Sequence, residues 1–458
     1  MFAYMKQKPG FYRQVVMLAL PIVLQNLITS ALGMADTFMV GMLGEVPMAA
    51  VTLANIPLFA LQMFIFGVQS GSSVLVSQYW GKQEMEAINR VLGVALWVVL
   101  VVSTLFAGVL LVCPVEFLSL FGNEPEVIAL AAQYGSIAGL SYVCNAFTMM
   151  YVAAYRSMER PQLGLYILVV SMAANTFLNW VFIFGKLGAP AMGVRGAATA
   201  TLIARLLEIT IVILHMMKNR FFRVQLHLLL QPGLDMTRRF LKYGGLVVCN
   251  ETMWGIGTSV FPTIMGHMAG STEILAAYTI AGNVEKITMV VAFGLASTAS
   301  IIIGREVGAG RADRILDVGK ALNTLAVMSG LTLGALLLLF VRFAAPAWVY
   351  PLFKLSPGAV SVASMMMTVM ALSMPLKDFN TVNIVGVLRG GGDVKAATLI
   401  DISPLWGVAI PYAALCGLVL KTTVLWVYLA FPLEQAVKFF VGIHRLRSGR
   451  WVRDLTRS

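Results

Sequence analysis

The amino-acid sequence predicts an all-α integral membrane protein with twelve transmembrane helices, arranged as two six-helix lobes that are related by a parallel internal repeat. The composition indicates the class. The 458-residue chain is 59% hydrophobic and 12% charged, whereas soluble domains are about 25% charged. A water-soluble fold of this length would expose more polar surface than this composition supplies, so we expect the lipid bilayer to be the solvent.

The spacing of the apolar stretches predicts the number of helices. A helix needs about 20 apolar residues to cross about 30 Å of hydrocarbon, and twelve stretches approach or exceed that length. The first follows Lys6, Lys8 and Arg13 but stays apolar to Val40 without a small-residue cleavage site. We therefore interpret it as a retained span and not as a signal peptide. The predicted spans are 14–39, 46–76, 90–113, 127–153, 162–184, 193–217, 239–266, 274–304, 315–341, 358–386, 396–419 and 422–443.

An internal repeat relates the two halves. The segment 49–81 reappears as 276–308 at a constant offset of 227 residues, and nine of the 33 aligned positions are identical. Small residues such as Gly67 and Gly294 recur in step, which favours duplication over chance similarity between apolar helices. Because each half has an even number of spans, both halves enter the membrane in the same direction, which is the pattern of a parallel repeat.

The distribution of charge predicts the orientation. Lysine and arginine are concentrated at the N-terminus, in the central linker and in the C-terminal tail, whereas the alternate loops carry glutamate. By the positive-inside rule, both termini and the linker lie in the cytoplasm and the chain lies in the cell membrane. Contact with anionic lipid headgroups explains the net charge of +12, and no other feature suggests a nucleic-acid partner. The basic residues are Lys6, Lys8, Arg13, Lys218, Arg220, Arg223, Arg238, Arg239, Lys242, Arg445, Arg447, Arg450, Arg453 and Arg457, and the glutamates are Glu45, Glu116, Glu124, Glu126 and Glu273.

The same pattern divides the chain into three parts. Residues 1–217 form an N-terminal lobe with spans 1–6, residues 218–237 form a cytoplasmic linker, and residues 238–458 form a C-terminal lobe with spans 7–12 and a basic cytoplasmic tail. Two lobes joined on one side of the membrane suit alternating access, although some channels and flippases share this layout.

The sequence provides no basis for an enzyme or a cofactor. The four cysteines stand singly without CxxC spacing, the four histidines form no metal-binding motif, and no nucleophile–base pair stands out. The GGG in the segment 388–393 lacks the strand and the Lys-Ser/Thr of a phosphate-binding loop, so we predict a tight cytoplasmic turn there. The cysteines are Cys113, Cys144, Cys249 and Cys416, and the histidines are His215, His227, His267 and His444.

Carboxylates inside the spans are the most informative residues, because a charge near the bilayer centre costs at least about 2.5–3.5 kcal/mol. At about 1.5 Å per residue, Glu251 of span 7 lies roughly 14 Å and Asp378 of span 10 roughly 16 Å from the cytoplasmic surface. Two acids at this depth predict a cation site, in which they bind Na⁺ through hard oxygen ligands or hold a proton after desolvation. The alternative is that Lys286 and Lys377 neutralise them and that the pairs only hold helices together.

A second polar group is predicted in the N-terminal lobe. Asp36 lies in the outer half of span 1, with no basic residue near it in sequence. Asn175 and Asn179 share one face of span 5 at a comparable height. One acid and two amides at one level predict a polar pocket for substrate or a proton. The alternative is that Asp36 caps a helix end near the interface.

Two further acids and two lysines are candidate supporting residues. Glu285 is expected to face solvent or to pair with Lys286 or Lys377. Asp401 lies only six residues from Lys395, close to the predicted cytoplasmic edge.

Several short motifs, in this order and spacing, resemble the multidrug and toxic compound extrusion (MATE) transporters over essentially the whole chain. The resemblance implies twelve helices in two lobes and export of amphipathic, often cationic compounds by antiport with Na⁺ or H⁺. It implies no cofactor besides the coupling ion, and we expect a monomer whose partners are its substrates and membrane lipids. The motifs are LPIVLQN (20–26), ADTFMVGMLG (35–44) followed by AAV (49–51), NTFLNWVFIFG (175–185), GVRGAATAT (193–201), NETMWGIG (250–257), FGLASTASIIIGREVGAG (293–310) and GVLRGGGD (386–393).

The resemblance assigns roles to the same polar residues. Asp36 matches the first-helix aspartate that the family uses for proton or substrate coupling, and Asn175 and Asn179 match its fifth-helix polar partners. Glu251 and Asp378 match the seventh- and tenth-helix acids of the family's C-lobe cation site, and they are the implied metal ligands if the coupling ion is Na⁺.

One position departs from the family pattern. Some Na⁺-coupled members have a tyrosine one turn before the tenth-helix acid, whereas this chain has Met374. Lys286 is also next to Glu285 in sequence, and Lys377 is next to Asp378, which argues against a simple Na⁺ site. Both ions therefore stay open, with a slight preference for Na⁺.

A lipid-linked saccharide or lipid flippase of the same wider superfamily is the alternative function. Such a flippase should have a more strongly cationic central cavity for pyrophosphate. In this chain the acids inside the spans match or outnumber the bases, which favours cationic cargo.

Overall fold

The computed structural model describes residues 7, 9–122, 124–219, 221–353 and 355–456. These residues form helices joined by short loops, with no β-strand among them beyond one isolated bridge between Gly392 and Val452. The helices are α1 (Pro9–Gly41), α2 (Glu45–Lys82), α3 (Met85–Val112), α4 (Pro114–Leu118), α5 (Pro125–Ser157), α6 (Gln162–Phe184), α7 (Val194–Lys218), α8 (Leu226–Leu230), α9 (Leu234–Gly266), α10 (Ser271–Gly308), α11 (Ala312–Leu339), α12 (Tyr350–Leu352), α13 (Pro357–Thr381), α14 (Val394–Pro404), α15 (Ile410–Ala414), α16 (Val424–Tyr428) and α17 (Ala430–Arg447). π-Helical turns follow α11 (Phe340–Val349), α13 (Val382–Leu388), α14 (Leu405–Ala409) and α15 (Leu415–Val419).

Eleven helices of the described chain are long and apolar enough to cross a membrane. Each of the twelve predicted spans lies on helix, with α14 and α15 forming one span and α16 and α17 another. The span predicted at 239–266 corresponds to α9, which is 33 residues long but is not among the eleven. It carries polar residues such as Asn250 and Glu251 near its middle, and polar residues inside a span indicate a functional role.

Contacts divide the chain into two compact units. The N-unit comprises Leu24–Val248, and the C-unit comprises Met1–Val23 together with Cys249–Ser458. The two dividing points fall inside α1 and α9, so each of these helices contributes to both units. The lobe bounds from the sequence, 1–217 and 238–458, stay a prediction.

The N-unit is built around α5. This helix packs against α2, α3 and α7, and α6 packs against α7. Buried side chains such as Leu58, Leu110 and Ala131 form an apolar cluster among these helices. The packing of α6 on α7 brings the polar face of α6, with Asn175, towards Thr201 of α7.

The segment predicted as a linker is folded onto the N-unit. The Asn89 side chain of α3 donates to the Arg223 carbonyl (3.3 Å) and accepts from the Gln225 amide (3.0 Å). Gly93 allows the backbone of Leu229 to approach, because a Cβ on Gly93 would lie 2.8 Å from the Leu229 carbonyl oxygen. Together with the buried Phe222, these contacts make residues 218–237 part of the packed unit.

In the C-unit, α13 packs against α10 and α11. Two glycines of α11 allow this approach, since a Cβ on Gly334 would lie 2.5 Å from the Ala371 carbonyl and one on Gly330 would lie 2.7 Å from Pro375 Cα. Small residues at such contacts are typical of packed membrane helices. The close contact places Ser329 of α11 beside Asp378 of α13.

The C-terminal tail packs against the GGG turn. The turn predicted at 388–393 is present, and Gly392 has φ +93°. Trp451 is fully buried and donates from Nε1 to the Leu446 carbonyl (2.9 Å). Arg445 and Arg453 pair with the buried Asp393 at 2.5 and 3.4 Å. These two basic residues, which the sequence analysis assigned to lipid contact, are therefore engaged by the protein itself.

Candidate functional site

The N-unit brings together the three polar residues predicted for its pocket. Asn179 donates from Nδ2 to Asp36 Oδ1 (2.7 Å) and to Asn175 Oδ1 (3.1 Å). Asn175 in turn donates to Thr201 Oγ1 (3.3 Å), and both asparagines are buried. Asp36 lies inside α1, which continues to Gly41. Its carboxylate thus bonds to a neighbouring helix, which favours the pocket interpretation over a helix cap.

A charged pair on α7 lies close to this pocket and was not found from the sequence. Arg205 donates from Nη1 to Glu208 Oε1 (2.6 Å), and Glu208 is buried. Arg205 also interacts electrostatically with Asp36. No base is near Asp36 in sequence, but one is near it in space. The i,i+3 spacing of an arginine and a glutamate inside span 6 was the available signal.

In the C-unit, Asp378 is fully buried and accepts a hydrogen bond from Ser329 Oγ (2.7 Å). Its second oxygen, Oδ1, makes no hydrogen bond to any described residue. Neither candidate lysine forms an ion pair with it. Lys377 pairs with Glu285, and Lys286 is exposed without an ion pair in the described chain.

Glu251 has a different environment from Asp378. Arg389, which is fully buried, donates from Nη1 to Glu251 Oε1 (2.6 Å). Arg389 Nη2 lies 3.6 Å from Asp401 Oδ2. An arginine, and not one of the two candidate lysines, is therefore the partner of Glu251. No hydrogen bond joins Glu251 to Asp378 in the described residues.

Asp401 connects this pair to α17. Lys438 Nζ contacts Asp401 Oδ1 (2.7 Å) and Glu434 Oε1 (2.6 Å), and Asn250 Nδ2 donates to Asp401 Oδ2 (2.9 Å). We call Glu251, Arg389, Asp401, Lys438 and Glu434 the C-unit charge network. Asp401 is a central member of it and does not lie at a solvated edge. Sequence reasoning missed Lys438 and Glu434, whose i,i+4 spacing in span 12 was the available signal.

The C-unit charge network carries one more negative than positive charge. Three carboxylates face one guanidinium and one ammonium group, which leaves a formal charge of −1. An unbalanced charge away from water is costly, and Lys377, which interacts electrostatically with Glu434, offsets part of it. The described residues contain no cluster of three or more His, Cys, Asp or Glu side chains with the geometry of a metal site.

A family model described as MatE matches residues 21–181 and 245–415, one stretch in each half of the sequence. The chain belongs to the MatE family. Members of this family are transporters, and the chain is accordingly a multi-pass membrane protein. The all-α fold class predicted from the sequence and the family resemblance are both confirmed.

Relatives and a solved structure match nearly the whole chain. The probable multidrug resistance protein NorM of Thermotoga maritima is 23% identical, with 97% of this chain and 94% of the relative covered. The probable multidrug resistance protein YoeA of Bacillus subtilis is 24% identical, with 95% and 93% covered. A solved MATE structure in the bent conformation has a TM-score of 0.84 at 18% identity, with 96% of both chains covered. At this identity the solved structure shows that the fold is shared.

Proposed function

We propose that this MatE transporter exports small amphipathic cations from the cytoplasm by antiport with Na⁺ or H⁺, through alternating access of two lobes. One observation carries the proposal. Asp36 and Asp378, on different helices and in different units, are each held by neutral hydrogen-bond donors and form no ion pair in the described chain. A carboxylate in this setting can bind a cation or a proton without first losing an internal salt bridge.

We further propose that Asp378 and Glu251 are the acids that bind the coupling ion in the C-unit. Asp378 Oδ1 has no hydrogen-bond partner among the described residues, and Ser329 Oγ lies beside the same carboxylate. Carboxylate and hydroxyl oxygens suit Na⁺, and an acid in this buried setting also suits a proton. Glu251 belongs to the C-unit charge network, whose excess negative charge supports binding of one cation.

A flippase for an anionic, lipid-linked cargo is the competing function. Cations away from solvent are the feature in its favour. Arg389 and Lys438 are buried, and the Arg205 side chain is 24% exposed. Each of them contacts a carboxylate at 2.6–2.7 Å. Their charge is therefore compensated within the protein, which supports cationic cargo. We propose that a monomer in the cell membrane, with both termini in the cytoplasm, carries out this export.

The proposal is tested with purified protein in liposomes. We expect ethidium movement driven by an imposed Na⁺ or H⁺ gradient, and we expect Asp378→Asn and Glu251→Gln each to abolish it while the protein stays folded and inserted. Replacement of Na⁺ by choline at fixed pH identifies the ion, since loss of transport indicates Na⁺ and unchanged transport indicates protons.

Asp317→Asn provides the matched control. This acid lies on α11 of the same unit, but its side chain is 65% exposed and its nearest cation, Lys320, is 3.8 Å away. It should transport like the parent. Normal transport by both of the buried-acid variants would contradict the proposed ion site, and gradient-driven movement of a lipid-linked saccharide in place of ethidium would establish the flippase function instead.

A further inference from the structure

A second cavity lies in the N-unit, at the opposite end of α6 from Asn179, the residue that bonds Asp36. Where α5 and α7 end and α6 begins, side chains line an open cavity of about 340 Å³. Its lining includes Gln162, in the first turn of α6. Asn179 lies seventeen residues further along the same helix, about 25 Å away at 1.5 Å per residue. The cavity is therefore separate from the pocket of Asp36 and Asn179.

The wall of this cavity is already formed by internal hydrogen bonds. His215 uses both ring nitrogens, with Nδ1 3.0 Å from Tyr151 Oη and Nε2 3.3 Å from Asn219 Nδ2. Asn219 Nδ2 also donates to Tyr155 Oη, and Asn219 Oδ1 accepts from the Phe221 amide (2.8 Å). These polar groups are occupied, so they shape the cavity and leave recognition to other residues.

Arg160 carries a charge that remains available for recognition at this cavity. Its guanidinium carbon lies 4.5 Å from the centroid of the Phe221 ring, and its side chain is exposed. It forms no ion pair with a described residue. Stacking on an aromatic face holds the guanidinium plane and leaves the N–H groups at its edge free, which is the geometry that binds phosphate in two-point fashion.

The surroundings of Arg160 are those of a membrane interface. Tyr166, also in the lining, is 64% exposed, and the Trp80 ring packs on Phe221 at 5.4 Å. Tyrosine and tryptophan are enriched at headgroup depth. The ends of α5 and α7 lie on the predicted cytoplasmic side, where the leaflet is rich in anionic lipid.

We propose that this cavity binds a phosphate ester of the kind carried by an anionic phospholipid headgroup, with Arg160 as the anion-binding residue and Phe221 and Tyr166 as its aromatic walls. A volume of about 340 Å³ lies at the lower end of the range for ligand pockets. It suits a phosphate with a short polar substituent better than a drug-sized cargo. The site is distinct from the transport pathway proposed above.

The test uses the full-length protein in a detergent that contains no phosphate. Titration with phosphatidylglycerol, compared with phosphatidylcholine, is followed by retained lipid in native mass spectrometry and by the shift in melting temperature. We expect Arg160→Gln to weaken phosphatidylglycerol binding about tenfold, the loss of one charge-assisted contact. We expect Arg160→Lys to weaken it less, and Phe221→Leu to weaken it because the stacking surface is lost.

Arg223→Gln is the matched control, since it removes an exposed arginine from the neighbouring segment that does not line the cavity. It should bind like the parent. Equal binding by Arg160→Gln and the parent, or equal losses in Arg160→Gln and Arg223→Gln, would overturn the proposal. A parallel titration with glycerol phosphate distinguishes the sources: competition only at far higher concentration supports a lipid, whereas equal affinity assigns the same phosphate site to a soluble ester.

Discussion

The amide-bonded acid of the N-unit and the arginine-paired acid of the C-unit are held in different ways. Asp36 accepts from the neutral amide of Asn179, whereas Glu251 accepts from the buried guanidinium of Arg389. An acid bonded to an amide can gain a cation or a proton while its neighbours keep their charges. An acid paired with arginine must first lose a salt bridge, so binding of a cation there disturbs the other charges of the network. The comparison indicates that acids inside a membrane protein do not share one role.

The largest expected effect is on the stability of the C-unit. Arg389→Met should lower the free energy of unfolding by about 3–5 kcal/mol, because Glu251 then becomes a buried charge without its partner. Denaturant unfolding in detergent measures the loss. The double variant Glu251→Gln/Arg389→Met should recover a large part of it, and Arg223→Met, at an exposed position, should change little. A double variant as unstable as the single one would show that the pair is not the cause.

The second prediction concerns transport by the N-unit acid. Asp36→Asn should reduce export by about tenfold or more, since a charged hydrogen-bonded group is worth about 1.5–3 kcal/mol, and it should flatten the dependence of export on pH. Stability should change little, because asparagine fills the same volume. Efflux measured between pH 6 and 8 checks this. An unchanged rate and pH profile would remove Asp36 from the site and support the helix-cap alternative, since asparagine caps helices about as well as aspartate.

A comparable effect is expected when the neutral donors of the two acids that form no ion pair are removed. Asn179→Ala deletes a hydrogen bond to the partly buried Asp36 carboxylate, and Ser329→Ala deletes one to the buried Asp378 carboxylate. Each substitution should lower the free energy of unfolding by about 1.5–3 kcal/mol, the range for hydrogen bonds to charged groups. Each should also slow transport. Unfolding and efflux assays on both variants check whether the two acids behave alike. A transport defect in one variant and none in the other would show that only one of these acids participates.

The smallest effect is expected for the pair Glu285–Lys377. The side chains of Glu285 and Lys377 are 37% and 22% exposed, and ion pairs that solvent reaches contribute about 0–1 kcal/mol. Glu285→Gln should therefore leave unfolding and transport close to those of the parent. Loss of transport in this variant would place Glu285 in the ion pathway and would weaken the distinction between the two kinds of acid.

Helical periodicity explains which of the lysine pairings left open by the sequence is formed. Lys377 and Asp378 are neighbours in the chain, but successive side chains on a helix diverge by about 100° because one turn has about 3.6 residues. Lys377 reaches Glu285 of α10, and Asp378 reaches Ser329 of α11. Of the pairings that the sequence left open, Lys377 with Glu285 is therefore present, and an ion pair of Lys377 with Asp378 is absent from the described residues.

The sequence by itself determined where the helices lie in the chain and how far along each helix its polar residues lie. Apolar length sets where helices can cross a bilayer, and the rise per residue sets the height of each polar residue. These local quantities predicted that Asp36, Asn175 and Asn179 would meet at one height, as they do.

Only the tertiary structure decided which charges pair and what the loops do. Glu251 and Arg389 are 138 residues apart in sequence, and their contact depends on the rotation and packing of two helices. The same holds for Lys438 with Asp401 and for Trp451 against the GGG turn. The rise per residue fixes how far along its helix a residue lies. The direction in which its side chain points, and hence its partner, follows from packing between helices that no single segment encodes.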